Sequence, residues 1–292
     1  MTENAEPEQT MALNFTKMHG LGNDYVFVPL YGQTVDDPPA LARAISDRHR
    51  GVGGDGLILV GPPDAPDAHV RMQMYNADGS RAQMCGNGVR CVAKLAYERG
   101  WARHNPLRVQ TDAGVLALEL TLDGQRRVSQ VRVDMGEPVL DPKRIPVSLG
   151  GEQVVGMPIP LRDQVLAVTC VSMGNPHAVF FTDDLKRVPL RDWGPQLERH
   201  PLFPQRINVH FVQVLARDRV RMATWERGAG PTQACGTGAS AVCVAGALNR
   251  LTDRTLTATL PGGDLKLEWD EASNHVFMTG PAEEVFTGVW PT

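Results

Sequence analysis

Apolar residues in this chain recur mostly at every second position, in short runs set off by turn residues. This is the pattern of strands with one face buried. Such runs occupy Phe15 to Met18, Tyr25 to Leu30, Leu57 to Val60, Val70 to Tyr75, Val115 to Leu122, Val128 to Val133, Leu166 to Cys170, Ala178 to Phe181, Ile207 to Val214, Arg219 to Thr224, Leu256 to Leu260, Leu265 to Glu268 and Asn274 to Thr279. Helical spacing is rarer. Pro39 to His49 reads as one helix, proline being permitted in a first turn. After Gly88, the residues Val89, Val92, Ala93 and Ala96 follow the spacing of an apolar stripe, and Gly100 supplies the stop. After Gly238, the eleven residues Ala239 to Asn249 carry no charge, which predicts a helix buried on nearly every side.

The chain also repeats itself. M-C-G-N-G-V-R-C around Cys85 matches A-C-G-T-G-A-S-A around Cys235, 150 residues later, and the same offset lays Y-N-A-D-G-S from Tyr75 onto W-E-R-G-A-G from Trp225. A shift of 152 lays Gly22-Asn23 onto Gly174-Asn175 and G-L-I-L-V from Gly56 onto N-V-H-F-V from Asn208. Four matched pieces in the same order imply a duplication. The expected fold class is therefore α+β: two pseudo-symmetric domains, each a β-barrel-like sheet wrapped around a central helix, with a cleft between them. One domain is expected at 13–133, completed by a C-terminal strand at 281–292, and the other at 134–280. Residues 1–12 lack periodicity and read as a disordered tail, within which Met11 is a second candidate for the first residue.

Composition narrows the class of ligand. A chain of 292 residues, 42% hydrophobic and 21% charged with a net charge of −4, carries no basic signature of nucleic-acid binding. It has no apolar run long enough to span a bilayer and an acidic start unlike a signal peptide, so a cytoplasmic location, no membrane contact and a small polar ligand are expected. The five cysteines form an odd set with no C-x-x-C pair, which argues against a disulfide framework and a zinc ribbon. Cys91, Cys170 and Cys243 lie inside apolar runs and read as core residues.

Cys85 and Cys235 differ because each opens a helix. A helix start offers unpaired N–H groups and about half a positive charge, which favours a thiolate. Glycines at 86, 88, 236 and 238 leave room for a carboxylate on the same N–H groups. Two such thiols on opposite sides of a small amino acid could remove the α-proton on one face and return a proton on the other. By contrast, Gly51 to Gly56 matches G-x-G-x-x-G but follows a helix and precedes a strand, the reverse of a dinucleotide fingerprint.

Several segments together resemble the diaminopimelate epimerase family: K-M-H-G-L-G-N-D from Lys17, D-R-H-R-G-V-G-G-D-G from Asp47, Y-N-A-D-G-S from Tyr75, M-C-G-N-G-V-R-C from Met84, G-N-P-H from Gly174, R-I-N-V from Arg206, and W-E-R-G-A-G with A-C-G-T-G-A from Trp225. The resemblance runs from about Phe15 to the C-terminus. It implies the diaminopimelate epimerase-like fold and a cofactor-independent isomerase that interconverts LL- and meso-diaminopimelate in lysine and peptidoglycan precursor synthesis, with no metal and as a homodimer. Cys85 and Cys235 become the acid–base pair, and His177 and Glu226 position the substrate or a thiol. Gly86, Asn87, Gly236 and Thr237 present N–H groups to the reacting carboxylate. Asn23, Asn76, Asn175, Asn208 and Arg227 hold the remaining groups, Arg227 as a bidentate clamp on the distal carboxylate. Gly56 stands where some members carry a ligand-contacting Gln, and Pro231 where an acidic residue is common. The alternatives are a two-cysteine proline or hydroxyproline racemase, a thiol redox protein and a binding protein without turnover.

Overall fold

The structure, a computed structural model, describes residues 12–291. The expected tail and the choice between Met1 and Met11 lie outside the described residues, except that Ala12 already opens the first strand.

Strands and helices follow one scheme twice. The first round is β1 (Ala12–Gly20), β2 (Asn23–Pro29), α1 (Pro38–Ser46), β3 (Gly56–Gly61), β4 (Val70–Asn76), β5 (Arg81–Ala82), α2 (Gly86–Glu98), β6 (Leu107–Thr111), β7 (Gly114–Leu122) and β8 (Val128–Asp134). After β9 (Met157–Leu161), the second is β10 (Gln164–Ser172), β11 (Pro176–Phe181), α3 (Leu190–Glu198), β12 (Asn208–Ala216), β13 (Arg219–Glu226), β14 (Gly230–Pro231), α4 (Gly236–Leu248), β15 (Thr255–Leu260), β16 (Gly263–Trp269) and β17 (Val276–Gly280), and β18 (Glu283–Pro291) ends the chain.

Pairing shows the repeat more sharply than the residues do. β1 to β4 pair antiparallel, parallel, antiparallel; β4 runs parallel to β6, and β6, β7 and β8 form a meander. β10 to β13, β15, β16 and β17 repeat these steps in the same order. β18 and β9 extend β1 and β10 at equivalent edges, and β8 against β17 joins the two systems. Each parallel step needs a crossover, which α1 and α3 supply for one and α2 and α4 for the other.

The sheets wrap the helices that open at the two cysteines. α2 packs on β1, β2, β4, β6, β7 and β8, and α4 on β10, β11, β12, β15, β16 and β17. The stripe on α2 buries Val89, Val92 and Leu95 beside Ile58, Met72 and Leu118, each such side chain contributing about 1.5–3 kcal/mol by leaving water. α4 has small or apolar residues on all sides and is buried from Gly236 to Gly246 except at Thr237, as its lack of charge predicts. Its only polar side chain in mid-helix, Ser240, turns its hydroxyl back to Gly236 O at 3.0 Å.

Where the fold departs from the pattern, a local cause is visible. α1 ends at Ser46 rather than His49, because Asp47 accepts from the N–H groups of His49 and Arg50 and turns the chain. Gly51 then passes so close to the helix end that a Cβ there would sit 2.4 Å from Ala44 O. α3 escapes the periodicity because its sequence holds Gly194 and Pro195; Gly194 is needed where the helix meets Trp225, whose ring would lie 2.5 Å from a Cβ. β9 escapes because Pro158 and Pro160 discourage a strand, yet β9 is an edge, where proline is tolerated. β6 is a clean but five-residue alternation.

The starts of α2 and α4 meet. Met278 of β17, fully buried, lies between them: a Cβ on Gly86 would be 3.1 Å from its Cε, and one on Gly236 3.0 Å from its Sδ. Asn87 Nδ2 donates across the junction to Ala234 O at 3.3 Å. Met278→Ala empties this wedge and is expected to cost about 2–5 kcal/mol, read as a lowered denaturant midpoint, with Met278→Leu losing under about 1.5 kcal/mol. Equal stability of the alanine variant would show that the wedge is not what separates the helix starts.

Candidate active site

Cys85 and Cys235 occupy the residue before the first turn of α2 and α4, both with extended backbone, φ −139° and −123°. Both line one cavity of about 430 Å³. Around it stand Asn23, Tyr25, Asn76, Gly86, Asn87, Asn175, Glu226, Gly236 and Thr237. An adjoining chamber of about 480 Å³ shares Asn23, Tyr25, Asn76 and Glu226 and adds Arg48 and Asp55. The G-x-G-x-x-G segment is thus the loop between α1 and β3, beside this chamber.

The glycines do two different jobs. Gly86 and Gly236 line the cavity. Gly88 and Gly238 instead allow close packing: a Cβ would lie 2.7 Å from Ile58 Cδ1 in the first case and 2.3 Å from His210 Cε1 in the second.

The two thiols have unlike surroundings. The Cys85 sulfur accepts from Gly88 N–H at 3.4 Å and from the Tyr25 hydroxyl at 3.7 Å, and its thiol faces Asn23 Oδ1 at 3.5 Å. Cys235 lies 3.7 Å from Thr237 Oγ1 and beside Glu226, whose Oε1 accepts from Thr232 at 2.5 Å. Burial is the largest influence on both thiols and pushes both pKa values up. At Cys85 the Gly88 N–H, the Tyr25 hydroxyl, the Asn87 N–H and Arg90 pull back. At Cys235 the Glu226 carboxylate adds to the rise and only Thr237 and Gly238 oppose it, so it stands well above the ordinary thiol value. The expectation that a helix start eases ionisation holds only as this opposing contribution; desolvation wins in both cases. Burial likewise raises Glu226, against Thr232 and Cys235.

Three expected residues do not line the cavity. His177 is fully buried behind it, bonded to Asn175 Oδ1 at 2.8 Å and to His210 at 2.9 Å. Burial, then His210 and Arg227, hold His177 far below the ordinary histidine value, so it is neutral. Asn208 is buried, donating to Pro176 O at 2.9 Å and accepting from Arg227 N at 3.0 Å. Arg227 is exposed, with its guanidinium on Gln205 O at 3.1 Å. Asn23 and Asn175 take equivalent places, each following a glycine with positive φ, at 80° and 88°. The turn chemistry that would explain these asparagines alone therefore coexists with a place on the cavity wall.

Of the two departures, Gly56 admits no side chain, since a Cβ would lie 2.2 Å from Tyr75 O. Pro231 leaves the local loop bonded through its neighbour Thr232. Sequence reasoning missed Tyr25, Thr232, His210 and Arg90. Arg90 is fully buried, and its guanidinium meets Gly86 O, Asn87 Oδ1, Pro281 O and the Met278 sulfur, at 3.0, 2.9, 3.1 and 3.9 Å. Nothing in the sequence around Arg90 marks it, since it lies off the apolar stripe of Val89, Val92, Ala93 and Ala96.

Known proteins resemble this chain in sequence and in fold. The family model described as diaminopimelate epimerase matches residues 15–140 and 169–285. A protein of Acetivibrio thermocellus named diaminopimelate epimerase is 51% identical over 277 residues, 94% of this chain and 98% of that protein. One of Methanococcus maripaludis with the same name is 46% identical, over 94% and 99%. A Bacillus anthracis phenazine biosynthesis protein of the PhzF family shares the fold at TM-score 0.71 and 15% identity, over 97% of this chain and all of that one. So does a probable proline racemase of Agrobacterium radiobacter, at TM-score 0.66 and 15% identity over 94% and 92%. With identity near one half over nearly the whole length, the chain belongs to the diaminopimelate epimerase family.

Proposed function

We propose that this chain interconverts LL- and meso-diaminopimelate by passing an α-proton to one thiol and taking another from a second, Cys85 and Cys235, without a cofactor. The observation that carries this reading is that both cysteines cap helices whose first turns border one cavity.

The α-carboxylate docks on the N–H groups of Gly86, Asn87, Gly236 and Thr237, where two helix starts add their partial positive charges. Cys85 is the readier anion of the pair, since amide, hydroxyl and Arg90 all favour its thiolate. Its thiolate takes the α-proton, the electron pair is delocalised into the carboxylate as an enediolate, and the Cys235 thiol delivers a proton to the opposite face. The substrate leaves inverted, with Cys85 a thiol and Cys235 a thiolate; the reverse reaction starts from that state. Glu226 faces the amino group, and His177 fixes Asn175 through its ring N–H. Asn23 and Asn76 complete the wall. Asn208 holds the backbone N–H of Arg227, whose side chain turns inward to a distal carboxylate when the substrate is present.

Two domains, 13–133 with the strand of 281–292 and 134–280, fit the repeated pairing scheme. A homodimer is supported by β18, an edge strand whose Val285, Phe286 and Val289 are 55%, 45% and 61% exposed. Membership of the family supports a cytoplasmic location and a place in the synthesis of lysine and peptidoglycan precursors. A cyclic imino acid is the weaker substrate: the racemase-type structures share only the fold, at 14–15% identity.

In deuterium oxide with LL-diaminopimelate, the wild-type chain is expected to incorporate solvent deuterium at the α-carbon as it inverts. Cys85→Ala and Cys235→Ala, each folded by circular dichroism, lose inversion by at least about 10²-fold; turnover surviving in either one rules out the two-thiol scheme. Because both thiols sit above their ordinary value, the reactive state with one thiolate grows as pH rises. Thus kcat/KM increases about tenfold per pH unit through neutrality, falling only when the second thiol ionises; a flat profile from about pH 6 to 8 contradicts it. Val285→Glu combined with Val289→Glu is expected to yield monomers in sedimentation velocity, and an unchanged dimer would move the interface elsewhere.

A further inference from the structure

Behind Cys235 the fold buries more proton-binding and metal-binding capacity than proton transfer uses. His177 on β11 and His210 on β12 are both fully buried and project from the same face of two paired parallel strands. The Nδ1 of His177 and the Nε2 of His210 face each other at 2.9 Å, sharing one proton. Asn175 Oδ1 can only accept, so His177 carries its own proton on Nε2. The far nitrogen of His210, Nδ1, lies 3.0 Å from Thr224 Oγ1, which can either donate or accept.

This arrangement has a second, proton-shifted form. If the shared proton leaves His210 Nε2 and settles on Nδ1, Thr224 accepts it, and two imidazole lone pairs converge. A sulfur is at hand: a donor atom from each of His177, His210 and Cys235 lies within 4.8 Å of the others. A tetrahedral cation with Zn–N of about 2.0–2.1 Å and Zn–S of about 2.3 Å asks for donor separations of about 3.3–3.6 Å, inside the range already present. Each ring's other N–H is then held by a neutral oxygen, Asn175 or Thr224, as behind metal-binding histidines generally. Gly238 lets the helix start lie against both donors, since a Cβ there would be 2.8 Å from His210 Nε2 and 3.0 Å from Cys235 Sγ. Burial holds His210 down to about 3 and His177 well below the ordinary histidine value, so both rings are neutral.

We infer that His177, His210 and Cys235 form a latent site for a soft divalent cation such as zinc, whose occupation withdraws Cys235 from proton transfer. Binding displaces the Cys235 thiol proton to solvent and moves the imidazole proton from Nε2 to Nδ1; nothing is oxidised or reduced. Metal binding stands independently of the proposed reaction, while its inhibitory effect rests on Cys235 acting in that reaction. The signal was invisible in the sequence because three elements supply one ligand each.

The test is titration of the full-length chain with Co²⁺, read by the near-ultraviolet thiolate-to-cobalt absorption and the visible bands of four-coordinate cobalt, with Zn²⁺ displacing it. One cobalt per chain is expected with this signature, tightening as pH rises. Cys235→Ser should abolish the charge-transfer band and His210→Gln should weaken binding at least about tenfold, both variants checked by circular dichroism. Cys85→Ser should retain the band. Its loss in Cys85→Ser would mean a metal bridging the two thiols and would overturn the site, as would a sulfur-free, six-coordinate spectrum. Zn²⁺ should inhibit turnover and a chelator should restore it. A chain that binds cobalt as described yet turns over unimpeded would keep the site and refute the role of Cys235 in the reaction.

Discussion

The structure depends on bringing two helix N-termini together in a mostly buried interior. Each carries the equivalent of about half a positive charge, and like charges facing each other out of water repel. Arg90 sharpens the problem, because among the described residues its buried guanidinium meets carbonyl, amide and thioether acceptors and no carboxylate. The fold tolerates this through covalent topology and packing. The helix starts are fixed by the sheets around them and separated by Met278, while Asn87 spans the junction to Ala234. Such an arrangement holds a standing preference for an anion, whether a thiolate, a carboxylate or an enediolate.

Duplication explains why there are two such ends, and divergence explains why they are not alike. The strand pairing of the two rounds is the same step by step, and the asparagines at 23 and 175 keep equivalent places. Around the sulfurs, however, the first copy has Tyr25 and Arg90 and the second has Glu226, Thr232 and the histidine pair. A symmetric scaffold therefore holds two thiols of unequal acidity. That inequality gives the pair a preferred resting protonation state rather than two equivalent ones.

What could be read in advance follows from what is local. The paired Cys-Gly-x-Gly motifs, the uncharged helix and most strands are fixed by neighbouring residues, and they were legible. α3 was not, because Gly194 is explained only by Trp225, a partner distant in sequence. Nor was β9, whose prolines make sense only at an edge. In the site, the side chains that shape the Cys85 thiol come from β2 and from inside α2. A tyrosine in a strand and an arginine in a helix carry no local mark of that role. The residues taken from the family resemblance divide likewise: Asn23, Asn76 and Asn175 reach the cavity wall, whereas His177 and Asn208 are buried away from it and Arg227 is exposed outside it.

The raised thiol values bear on how the proposed two-thiol chemistry would be balanced. A helix start acting alone would yield a stable thiolate, and a stable thiolate is a weak base, poorly matched to an α-proton of very low acidity. Desolvation acts in the opposite direction: it makes the anion scarce but strong, and it penalises two anions in one cavity more than one. In the proposed reaction, the partly offset burial at Cys85 and the reinforced burial at Cys235 would thus favour a single charge, basic enough to act while the other thiol can still donate. On the proposed two-thiol scheme, lowering both values by opening the cavity to water would produce more thiolate and less inversion, because the opposing proton would be lost with the barrier to ionisation.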